Sequence, residues 1–159
     1  MRRRWRRLLS LSARQWWVVV QSLLLVPGVQ ASMWHSGFQR TAAILARWSD
    51  RPARDLSVKT PAESSEEALR LADAVGIVAG RRIIGAKCLG RSLVVWFLLR
   101  RRGIDAELLI GAQPPVDGVL PAHAWVEVGG APVGDAADVR GKFGSFGIEL
   151  PRLRPSAPT

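Results

Sequence analysis

The run Leu93-Val94-Val95-Trp96-Phe97-Leu98-Leu99 constrains the fold more than any other stretch of the chain. A helix through it is apolar on every side, and such a helix must be enclosed by other elements. Its ends are legible. Gly103 suits the position just beyond a helix C-terminus, and Arg100, Arg101 and Arg102 set cations at the negative end of the dipole. The start falls near Cys88. The remaining sequence therefore has to supply layers that surround this segment.

Helical signals come first along the chain. Residues 3–26 read as one helix that stops at Pro27-Gly28, and a second runs from about Phe38 to Trp48 on Ala42, Ala43, Ile44, Leu45 and Trp48. SDRPARDLSVKTP is polar and broken by Pro52 and Pro61, so it reads as a linker. Thr60-Pro61-Ala62-Glu63 opens the next helix with a cap, a proline at the first helical position and a capping-box glutamate. Ala68, Leu71, Ala72, Val75 and Val78 then repeat with the helical period up to Gly80.

The pattern changes after Gly103. Ile104, Ala106, Leu108 and Ile110 alternate along one strand, QPPVDGVLP makes a loop, and PAHAWVEV alternates again. Gly129-Gly130 turns the chain into a third strand near APVGDA. Helices followed by an antiparallel meander give an α+β layout. The expected organisation is a basic, apolar helical arm at 1–49, a linker at 50–61, a domain at 62–150 and a disordered, proline-rich tail at 151–159.

Charge is concentrated in the arm. Of the net charge of +10, the eight arginines before Asp50 supply +8, with no acid among them. The arm's start, MRRRWRRLLSLSARQ, leads into WWVVVQSLLLV. This imitates a secretory signal, but Gln21 and Ser22 interrupt the apolar core. Eleven residues are also too few for a span of about 20. A helix docked on the domain or facing a partner is the favoured expectation, and a peripheral membrane contact by residues 1–34 stays open. No nucleic-acid-binding fold accompanies the basic residues, so no nucleic-acid partner is expected.

One cysteine excludes an intramolecular disulfide, and one Cys with two His excludes a four-ligand Cys/His zinc site. No phosphate-binding glycine loop is present, and neither a metal nor a cofactor is expected.

The single cysteine, Cys88, falls at a helix start, where exposed backbone N–H groups and the dipole favour an anion. Most solitary cysteines are inert small hydrophobes, so this placement counts only beside a base. His123 provides one. It shares a strand face with Trp125 and Glu127, flanked by Ala122 and Ala124 on the other face. His35, at an irregular junction, reads as structural. A carboxylate that orients the ring would complete the set. With the hairpin turn centred on Gly129, Asp135 faces His123 directly across the strand pair. A two-residue Gly129-Gly130 turn shifts the register by one, so this pairing needs a three-residue loop or a bulge. Asp138 is the fallback and Glu127 a weaker candidate; Asp135 after Gly134 also fits a plain turn residue.

Cys88-Leu89-Gly90-Arg91-Ser92-Leu93, the following LLRRRGI, and AHAWVEV-GG-APVGD resemble the transglutaminase-like cysteine proteases of lasso-peptide biosynthesis. These are the leader peptidases of pathways in which leader binding and cleavage reside on separate proteins. The resemblance covers about residues 62–146, with a looser match in the Arg-rich N-terminal helix. It implies a papain-like/transglutaminase-like fold, with the nucleophile helix buried against a small antiparallel sheet. It also implies Cys88 as nucleophile, His123 as general base and acid, and Asp135 as orienting carboxylate. The implied substrate is a ribosomally made precursor peptide, and the implied partners are a leader-recognition protein and the lasso cyclase. Gly134, where a more polar residue is expected, and the QPPVDGVLP loop depart from the pattern. A transglutaminase-like acyl transfer to an amine is the alternative chemistry, and a membrane-surface or scaffold role the non-enzymatic one. A thiol that must stay reduced suits the cytoplasm.

Overall fold

The computed structural model describes residues 13–49, 60–79, 88–118 and 120–146. The arginine-rich start of the arm, the linker before Thr60 and the tail at 151–159 lie outside the described residues. The elements are α1 (Ala13–Ser49), α2 (Pro61–Ala79), α3 (Cys88–Arg100), β1 (Ala106–Ala112), β2 (Ala122–Val128), β3 (Ala131–Val133), α4 (Val139–Lys142) and β4 (Gly144–Phe146). The four strands form an antiparallel sheet in the order β3-β2-β1-β4. The layout is α+β, as the order of helical and alternating segments requires.

Helix α3 occupies the centre. Every residue from Ser92 to Arg100 is buried. α1 and α2 pack against it, and it packs in turn on β1 and β2. The helix ends at Gly103, whose φ of 71° allows Ile104 N–H to reach back to the Leu99 carbonyl at 3.1 Å. The cations after it tie elements together. Arg100 lies 5.0 Å above the Trp96 ring, and Arg101 donates to the last-turn carbonyl of Trp48 at 3.2 Å. Arg102 donates to the Leu98 carbonyl and faces Glu67; burial pulls its guanidinium below the usual value, with Glu67 opposing.

The start of α2 forms the expected reciprocal cap. Thr60 N–H donates to Glu63 Oε2 at 2.8 Å, and Glu63 N–H donates to Thr60 Oγ1 at 3.3 Å. Ala68, Leu71, Ala72, Val75 and Val78 are all buried against the core.

The arm departs from expectation. Instead of stopping at Pro27-Gly28, α1 continues through Pro27 and breaks at Gly37, where φ is 77° and ψ 170°. Pro27 removes the N–H that would reach the Leu23 carbonyl, but both residues lie on the exposed side, where water can serve that carbonyl. Val26 and Val29, on the other side, are buried, and their packing holds the helix in register. At Gly37 the backbone polar groups find side chains: Thr41 Oγ1 donates to the Gly37 carbonyl at 2.9 Å and Ser36 Oγ to the Ser32 carbonyl at 2.7 Å. Val18, Val19, Val26, Val29, Ala42, Leu45 and Ala46 share one core with α2, α3 and the sheet. The described part of the arm is thus a wall of the domain's core.

Candidate active site

His123 stands near the beginning of β2, paired across to Gly111 of β1. On its other side β2 pairs with β3 only over Val126–Val128, so the stretch around His123 has no strand partner there. Asp135 occupies that opening. Its Oδ1 lies 3.1 Å from His123 Nε2, with both side chains largely enclosed. With Nε2–H donating to the carboxylate, the neutral ring leaves Nδ1 as its acceptor.

Asp135 does not arrive there by strand register. The turn is the two-residue Gly129-Gly130 form, with φ of 58° and 79°, and the ladder runs Val128↔Ala131, Glu127↔Pro132, Val126↔Val133. Continued regularly, that ladder would set Asp135 opposite Ala124 and on the wrong face. Gly134 intervenes. Its φ of 72° ends the strand and swings Asp135 toward the ring. A Cβ on Gly134 would also come within 2.7 Å of the Ala72 Cβ on α2. The departure noted in the sequence is therefore a positional requirement. Gly134→Ala is expected to cost about 1–3 kcal/mol, from positive φ and overpacking together, and to displace Asp135. Thermal melting combined with the carboxylate-to-ring distance in a variant structure checks this.

The other two carboxylates are engaged elsewhere. Asp138 is exposed and pairs with Lys142 at 2.9 Å; hydrogen bonding to that ammonium holds its carboxyl below the usual range. Glu127 is buried, accepting from Trp125 Nε1 at 2.8 Å and from Arg140 Nε at 3.0 Å, with Arg140 Nη2 on its second oxygen. That bonding pushes the Arg140 guanidinium above its ordinary value. Neither carboxylate meets His123. Exposed on α1, His35 has no part in the arrangement.

Cys88 is the first residue of α3, half-buried and in no disulfide. Among the described residues no hydrogen bond joins its sulfur to the His123 ring; two contacts bring their elements together. Ser92, one turn further on, donates from Oγ to the Ala124 carbonyl at 2.7 Å, beside His123 in the strand. Arg91 donates from Nη2 to Asp135 Oδ2 at 2.5 Å. The carboxylate thus receives the imidazole on one oxygen and a guanidinium from the first turn of α3 on the other.

Several of these residues escape sequence reasoning. Arg91 was visible only as part of a motif. Phe143, which the sequence does not single out, lies 5.2 Å from the His123 ring by centroids, while Trp125, on the strand face expected for it, stacks at 6.3 Å. Gly111 makes room for both aromatics: a Cβ there would stand 2.8 Å from the Gly144 carbonyl, 3.0 Å from Phe143 and 3.1 Å from Trp125. A glycine inside a strand is the usual sign of such a close approach.

A family model described as the transglutaminase-like superfamily matches residues 32–146, which is more than half of the chain and includes every residue named in the site. The chain belongs to the transglutaminase-like superfamily. Within the curated proteins, this transglutaminase-like chain is similar to the microcin J25-processing protein McjB of Escherichia coli, with 35% identity over 69 residues. That alignment covers 43% of the chain and 32% of McjB, so the chain matches about a third of that relative's length. No solved structure gives a match.

Proposed function

We propose that this transglutaminase-like protein is a cysteine peptidase that removes the leader from a ribosomally made lasso precursor peptide. The observation that carries the reading is the 3.1 Å contact between His123 Nε2 and Asp135, on a helix–sheet frame headed by Cys88. It gives the ring one defined tautomer and leaves Nδ1 for a thiol. Likeness to a microcin-processing protein and the motif resemblance supply the substrate class.

In this scheme His123 takes the Cys88 proton, and the sulfur attacks the scissile carbonyl. The backbone N–H of Cys88, at a helix start, faces the developing oxyanion. His123 then protonates the leaving amine, which departs with the core peptide. Water attacks the thioester, giving its proton to His123, and the leader leaves as a free acid. A leader-recognition protein presents the precursor, and the cyclase takes the freed amine. The single thiol fits a reducing cytoplasm.

Incubation with the cognate precursor and leader-recognition protein, read by mass, tests the reading. Hydrolysis gives a leader ending in a free acid and a core with a new N-terminal amine. A new amide bond instead would assign transfer to an amine, the alternative that the family leaves open. Within the site, His123→Ala should slow cleavage more than Asp135→Asn, because the first removes the proton carrier and the second only its orientation. Equal rates for Asp135→Asn and the parent protein would remove Asp135 from the scheme.

A further inference from the structure

The inward side of α1 is accounted for by Val18, Val19, Ser22, Val26 and Val29, all buried. Its opposite side is not what water should meet. Trp16, Trp17, Val20, Leu23, Leu24 and Trp34 recur there at helical spacing and all stand exposed, Leu24 at 74% and Trp34 at 94%. From Gln15 to Gln39 there is no Asp, Glu, Lys or Arg on any side of the helix. A solvated helix face normally carries charge, and contiguous apolar surface of this kind marks an interaction site.

We propose that this face of α1 seats the protein on an anionic membrane surface, independently of the peptidase reading. Charge chooses the occupant. Arg2, Arg3, Arg4, Arg6, Arg7 and Arg14 precede the apolar face, Arg40 and Arg47 follow it, and no acid occurs before Asp50. An apolar face with tryptophans, bracketed by cations, suits the boundary between acyl chains and anionic headgroups. Trp side chains concentrate at that depth because one ring presents both apolar area and an N–H. The helix is long and apolar enough to cross a bilayer by length and composition. Crossing would strip Val26 and its buried neighbours from the core, whereas lying on the surface leaves the fold intact.

Vesicle flotation of the full chain tests this, with pure phosphatidylcholine and with a phosphatidylcholine–phosphatidylglycerol mixture. The protein should float with the mixed vesicles at low salt. Binding should fall sharply with pure phosphatidylcholine, and also at about 1 M salt, where the screening length shrinks to about 3 Å. Trp17→Ser, Leu24→Ser and Trp34→Ser together should lower the bound fraction by more than about tenfold with the melting temperature retained. Should that triple variant fold poorly, replacing Arg3, Arg4, Arg6 and Arg7 with Gln is the second test, and it should also release the protein. Failure of the parent chain to float with anionic vesicles overturns the proposal. So does resistance to alkaline carbonate extraction, which indicates a span, or a dimer in solution that the triple variant abolishes while flotation is absent.

Discussion

Cys88→Ala is expected to abolish leader removal and to leave the folded protein nearly as stable as before. Chemistry and packing separate at this position. Cys88 is half-buried at the first residue of α3, where few backbone hydrogen bonds depend on it, and alanine is a slightly smaller, good helix former. The stability change should stay within about 1–2 kcal/mol, whereas loss of the proposed nucleophile would remove the whole acyl-enzyme route. Mass analysis of the precursor after prolonged incubation, beside a thermal melt, reads both halves. Cleavage persisting in a folded Cys88→Ala protein would end the nucleophile assignment.

A second large effect is expected at the ion pair of Glu127 and Arg140. Arg140→Met should lower the melting temperature by roughly 5–10 °C, more than Glu127→Gln does. The asymmetry follows from where each partner stands. Glu127 is fully buried, and its carboxylate is held by Trp125 and by a half-exposed Arg140. Removing the arginine leaves a buried carboxylate with one neutral donor, which is costly in a low-dielectric setting. Glu127→Gln removes the charge that needed compensation and returns Arg140 to water. The double variant should therefore recover much of the loss from Arg140→Met, and melts of the three proteins check the ordering. Since Trp125 stacks beside His123, cleavage should fall along with stability in Arg140→Met.

These expectations rest on parts of the molecule that were unequally legible in the sequence. The buried helix from Cys88 was plain, because seven apolar residues without polar relief leave it nowhere but the interior. The start of α2 was plain for a different reason: Thr60, Pro61 and Glu63 are local signals whose partners lie within one turn. Pro27 misled, because a local breaker was outweighed by Val26 and Val29 in a core that only the folded chain reveals. Asp135 could be proposed, but not by the route the chain takes. Regular pairing would have turned it away, and the bend at Gly134 follows from a positive φ in a place where Ala72 leaves no room for a side chain, which no strand pattern encodes. The same holds for Arg91, whose partner lies 44 residues onward, and for β4, three residues beginning with glycine and carrying no strand signal of their own.

In the proposed function Cys88 and His123 form one reactive centre. The most direct measurement is the rate of alkylation by iodoacetamide near neutral pH, followed by intact mass in the parent protein and in His123→Ala. A single adduct at Cys88, forming at least about tenfold faster in the parent than in His123→Ala, is predicted. An unreactive Cys88, or equal rates in the two proteins, would contradict the account.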